Sequence, residues 1–199
     1  MIRSFCNALV LPALAICFAA CNAAGPTVVN SNNAAPKPAA SGMPQPTSSV
    51  PGGLTFKTPD GWTQEQPSSN LRVAQYRLPG EGGSADASLA VFFFGQGQGG
   101  PIEDNFDRWV GQMQKTRDQA KTEKLTVNGM PVTLLDVSGT FSGDMMSGST
   151  APQPNYRMRA GVIESPRGNY FVKLVGPEKT IARWDDSFLA FVKSAEFKK

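Results

Sequence analysis

The hexapeptide Gly95-Gln96-Gly97-Gln98-Gly99-Gly100 matches G-x-G-x-x-G between a predicted strand and a predicted helix. In that context backbone amides and a helix N-terminus can hold a pyrophosphate. A dinucleotide site also needs a parallel strand after the helix, and here an Asn-Gly hairpin follows. Glu103, Asp104 and Asp107 put negative charge where phosphates would lie. The run therefore reads as a glycine loop. Histidine is absent, and Cys6, Cys17 and Cys21 all fall near the N-terminus. That removes Ser–His and Cys–His nucleophilic pairs, and zinc sites built from His and Cys. Carboxylates remain. Asp185 and Asp186 are adjacent, so on a helix they point about 100° apart. Glu103 and Asp107 share a face that Arg108 and the helix dipole account for. Neither pair reads as acid–base machinery, so no catalytic residue, no cofactor and no enzyme activity is expected.

Met145 and Met146, with Met158 further on, would suit a soft metal. Adjacent methionines among Gly and Ser read instead as an apolar loop tip, and no metal is expected. Residues 142–155 lack periodicity altogether, and a long structureless segment inside a compact domain is commonly functional or disordered. This segment, with Met145 and Met146, is the preferred place for a partner contact. Arg157 and Arg159 are alternate residues of a predicted strand and so share one sheet face. They could hold an acidic partner. The alternative is a position at the sheet's margin, paired with carboxylates, because Gly161 and Ile163 continue that face and look buried.

These residues must be positioned by a domain predicted over residues 54–199. Leu54–Lys57 alternates as a short strand and closes on the turn Thr58-Pro59-Asp60-Gly61 before Trp62. Residues 71–78 form a second strand, and residues 89–94 are apolar on both faces, as in a central strand covered on each side. Pro101 opens a helix striped by Ile102, Phe106, Trp109, Val110 and Met113. Lys121–Val127 and Met130–Phe141 form a hairpin across Asn128-Gly129, and 156–164 pairs with 170–175 across Pro166-Arg167-Gly168. A last helix from Pro177 puts Ile181, Trp184, Phe188 and Phe191 on one face. Consecutive hairpins require an antiparallel sheet. The class is α+β, an antiparallel sheet with helices packed on both faces.

Residues 1–20 read as a lipoprotein-type signal peptide. Arg3 precedes an uncharged Ala/Leu-rich run, residues 8–20, that spans only about 20 Å as a helix, too short for a hydrocarbon core of about 30 Å. Phe18-Ala19-Ala20-Cys21 resembles a lipobox, which makes Cys21 the acylated residue and the membrane anchor. The alternative is ordinary cleavage near Ala23 or Ala24. Residues 21–53 read as the lipidated cysteine and an Ala/Pro/Ser-rich disordered tether, with Lys37 as its only charge. Export to a bacterial membrane is expected, with the periplasmic face of the outer membrane favoured over the inner membrane. Nineteen basic residues against sixteen acidic ones are a mild, dispersed excess, without the basic stripe of a nucleic-acid binder. No nucleic acid is expected as a partner.

Leu54-Thr55-Phe56-Lys57-Thr58-Pro59-Asp60-Gly61-Trp62, with Ser187-Phe188 in the closing helix, resembles the PsbP-like superfamily. The resemblance implies an α/β/α sandwich and roles in docking or assembly, and it supplies no catalytic motif. The expected function is a non-catalytic envelope lipoprotein whose domain binds or stabilises an unknown envelope protein. The alternative is an enzyme or small-molecule carrier using a carboxylate and aromatic pocket. A deep cavity with converging polar groups would favour that alternative, and a shallow apolar patch beside the long loop would favour docking.

Overall fold

The computed structural model describes residues 47–143 and 151–198. Met145 and Met146 lie outside the described residues. The strands are β1 (Thr47–Ser49), β2 (Leu54–Lys57), β3 (Thr63–Glu65), β4 (Arg72–Leu78), β5 (Ala87–Phe93), β6 (Lys121–Val127), β7 (Met130–Phe141), β8 (Gln153–Ser165), β9 (Gly168–Pro177) and β10 (Glu196–Phe197). Two helices, α1 (Ile102–Gln112) and α2 (Glu178–Lys193), follow β5 and β9. Among the described residues, one sheet has three strands in the order β1-β2-β10, and the other has seven in the order β3-β4-β5-β9-β8-β7-β6. Every pairing is antiparallel. The class is therefore α+β.

The long hairpins follow from local chemistry. Between β6 and β7, Asn128 and Gly129 take φ values of 49° and 80°, the pair of positive φ angles that a two-residue hairpin turn requires. Between β8 and β9, Pro166 and Arg167 make the turn. The Gly95–Gly100 run is a loop, and β5 is hydrogen-bonded on both sides to antiparallel strands. No parallel βαβ unit surrounds it, so the dinucleotide context is absent.

Two hydrophobic clusters use alternate residues of the same strands. Ile181, Trp184, Phe188, Phe191 and Val192 of α2 join Leu89 and Val91 of β5, Val132 and Leu134 of β7, and Tyr170, Val172 and Leu174 of β9. Phe106, Trp109 and Val110 of α1, with Met113 just after it, join Leu135 and Val137 of β7, Met158, Ala160 and Val162 of β8, and Phe171 of β9. The Leu54-to-Trp62 segment feeds the first cluster. Leu54 and Phe56 are fully buried, Phe56 stacks on Phe191 at 4.5 Å, and Trp62 lies 5.9 Å from Tyr76 and 5.2 Å from Phe191. Gly61 sits at φ 82°, and a Cβ there would come within 2.8 Å of the Trp184 ring. The close of that turn is thereby restricted to glycine.

Several expectations need correction. Thr47–Ser49, read from sequence as tether, pairs with β2. Val50 is buried in the α2 cluster, and the Tyr170 hydroxyl donates to Pro51 O at 2.7 Å. The alternation that marks a strand is too short there to be visible. Residues 153–155, read as part of a structureless segment, belong to β8. The strand expected over 89–94 ends at Phe93, leaving Phe94 41% exposed.

Candidate functional site

Two places gather charge on the seven-stranded sheet, and they are built differently. The first involves Arg157 and Arg159 of β8. Strand register sets Asp136 of β7 opposite Arg159. Arg157 makes a two-pronged contact with Asp136, Nε donating to Oδ1 and Nη2 to Oδ2, each at 2.7 Å. Arg159 Nη1 donates to Asp136 Oδ2 at 3.0 Å. Asp185 of α2 completes the group, 3.3 Å from Arg157 Nη2. It also lies 3.0 Å from Arg159 Nε, although Nε and Oδ1 are misaligned and make no hydrogen bond with each other. The Arg159 guanidinium lies 5.5 Å over the Phe188 ring.

Both arginines are thus answered by carboxylates, as one of the two sequence readings expected. The position differs from that reading. β8 lies inside the sheet between β9 and β7, so the arginines are not at its margin. They clamp α2 onto the sheet. Burial works to raise the Asp136 pKa, but the hydrogen bonds and charges of Arg157 and Arg159 outweigh it and hold the carboxyl below its usual range. The hydrogen bond to Asp136 raises Arg157.

The second place is a half-open cleft of about 280 Å³. Its floor is Ser88 and Ala90 of β5 with Lys173 and Val175 of β9, which register sets side by side. Arg72 and Phe92 form one wall, Phe141 and Tyr156 the other, and Gly143 and Gln153 edge it. These last two residues fall within the 142–155 segment singled out from sequence. Phe141 and Tyr156 stack with ring centroids 6.1 Å apart.

Local structure positions each cation. Lys173, buried, donates from Nζ to Gln112 Oε1 at 2.6 Å and lies 5.7 Å over the Phe141 ring. The end of α1 is in turn tied to the end of β7, because the Ser142 N–H and hydroxyl both donate to Gln112 O. Arg72, half-buried, lies 5.9 Å over Phe92 and donates to Gln75 Oε1 at 2.7 Å. Its Nε is buried without an acceptor. Asp86 also lines the cleft, but it accepts from Arg77 at 3.0 Å and from the Gly80 N–H at 2.7 Å. Arg77 first, then the Gly80 amide, hold the Asp86 carboxyl below its ordinary range.

The lining therefore joins two cations, three aromatic rings and a carboxylate already engaged. Such a surface can bind an anionic group on an apolar body. Among the described residues, no three His, Cys, Asp or Glu side chains gather as a metal site would require. No described helix is long and apolar enough to cross a membrane.

Sequence reasoning passed over Arg72, Phe92 and Lys173. One signal was present: Lys173 interrupts Tyr170-Phe171-Val172-Lys173-Leu174-Val175, where the residues on either side are apolar on both sheet faces.

No family model and no curated protein matches the chain. Solved structures of similar fold include the three that follow. One is the cyanobacterial PsbP of Synechocystis sp. PCC 6803, at 14% identity and a TM-score of 0.49, covering 80% of this chain and 96% of that one. Another is a Pseudomonas aeruginosa protein of unknown function described as a putative regulator, at 16% identity and a TM-score of 0.43, covering 73% and 92%. The third is a Bacteroides thetaiotaomicron protein at 9% identity and a TM-score of 0.45, covering 79% and 50%. The likeness to each of these is one of fold alone.

Proposed function

We propose that this chain is a non-catalytic docking domain, a PsbP-like α/β/α sandwich held at a bacterial membrane through acylated Cys21. Its cleft face engages an envelope protein. The cleft carries this reading. It is a recess beside β4 and β5 where charged and aromatic side chains of the described residues are gathered. The two clusters built on alternate strand residues support helices on both faces of the sheet, since successive side chains of a strand point to opposite sides.

The test is photocrosslinking in cells with p-benzoylphenylalanine at Ser88, in the cleft, and at exposed Asp60, near the β2–β3 turn. A discrete protein adduct from position 88 and none from position 60 is the expected result. Equal adducts from both positions, or turnover of a substrate by the purified chain at enzyme-like rates, would overturn the reading. Mass spectrometry of the mature protein tests the anchor separately: a first residue without fatty acid removes it.

A further inference from the structure

We propose that Asn128 is a modification site, where spontaneous loss of the side-chain amide irreversibly breaks the contact between the β6–β7 hairpin and the chain's last strand. Asn128-Gly129 is the only Asn-Gly pair in the sequence. Both residues are exposed at the hairpin turn, and among the described residues no hydrogen bond engages the Gly129 N–H. A Cβ at Gly129 would meet nothing within 4 Å, so neither a side chain nor a neighbour shields that nitrogen. The turn itself calls for this pair, because its two positive φ angles suit asparagine and glycine. The residues that make the hairpin therefore also carry the reactive chemistry.

The reaction needs only water. The Gly129 nitrogen gives up its proton and attacks Asn128 Cγ. The new N–Cγ bond replaces the Cγ–Nδ2 bond, and Nδ2 takes a proton from solvent to leave as ammonia. Water then opens the cyclic imide at either carbonyl, leaving aspartate or isoaspartate at position 128. The consequence follows from what the amide holds. Asn128 Nδ2 donates to the carbonyl oxygen of Ala195 at 2.9 Å, and Ala195 is a buried residue between α2 and β10. While that bond is made the departing nitrogen is held, so attack waits on its opening. A carboxylate has no proton to donate and would face a carbonyl oxygen, so the contact cannot re-form. β10 has two residues and pairs with β2, which makes it dependent on such ties.

The experiment ages the full chain at neutral and at mildly alkaline pH and maps its peptides. Aspartate and isoaspartate should accumulate at position 128, faster at the higher pH, while Asn155 and Asn169 stay intact. An unchanged Asn128, over many half-lives of a short peptide with the same hairpin residues, overturns the site. Amide exchange across residues 196–198 reads the consequence. Asn128→Gly keeps the turn and removes the donor, and should speed that exchange about fivefold, the scale of one hydrogen bond. Asn128→Asp should speed it about tenfold, since a charge then also faces the Ala195 oxygen, and the aged chain should match this variant. Exchange as slow in Asn128→Asp as in the parent would show that the amide ties nothing down, and the proposed break would fall.

Discussion

The arginines of β8 and the cations of the cleft sit on the same sheet, and both were gathered by strand register. They differ in what answers them. Arg157 and Arg159 meet Asp136 and Asp185 across the β7–β8 pair and the face of α2, so their charge is spent on holding the helix. Arg72, among the described residues, meets the Gln75 amide oxygen and the Phe92 ring instead. Charge that is conspicuous in a sequence is therefore a weak guide to a binding surface. What matters is whether the fold supplies the counter-charge, and that depends on residues far apart in the chain, such as Asp136 and Asp185.

The comparison can be broken at either end. The largest effect is expected from Phe188→Ala, which empties a fully buried position and removes the ring beneath Arg159. It should cost about 3–5 kcal/mol in denaturant unfolding, and a loss below about 1 kcal/mol would mean that α2 is not clamped as described.

Asp136→Asn should cost less, about 2–3 kcal/mol, because it leaves two partly buried arginines short of a partner while some solvent remains to screen them. This variant also carries the pH dependence. The folded carboxyl titrates below its ordinary value of 3.8. Its stabilisation is therefore complete above that value and is lost as pH falls through the folded one. Acid unfolding of Asp136→Asn should lack that component, and unchanged acid curves would refute the pairing.

Ser88→Trp should be the mildest, within about 0.5 kcal/mol of the parent, because the site is exposed. A marked loss of stability there would show that the cleft is packed rather than vacant, and the contrast between the two charged regions would collapse.

Much of the fold was legible because it rests on short-range rules. Asn128-Gly129 dictates a tight hairpin wherever it stands between strands, and Pro101 and Pro177 each precede the helix expected from the apolar stripe. β1 and β10 were not legible. Strands of three and two residues are too short to show a period, and only their pairing with β2 creates them. Of the site, Lys173 left a trace as a charge within an apolar strand. Arg72 left none, since a single arginine at a strand's start is ordinary.

By itself the sequence determined the chemistry that is out of reach. A chain without histidine, whose thiols all lie near its N-terminus, cannot assemble the commonest nucleophilic or zinc sites in its folded part, whatever its shape. It also determined the order of the longer strands and the two helices, because periodicity and turn residues act over a few neighbours. Only the tertiary structure decided that Arg157 and Arg159 meet Asp136 and Asp185, and which residues line a cleft. Counter-charge and enclosure come from register and packing between segments tens of residues apart, and no local pattern encodes them.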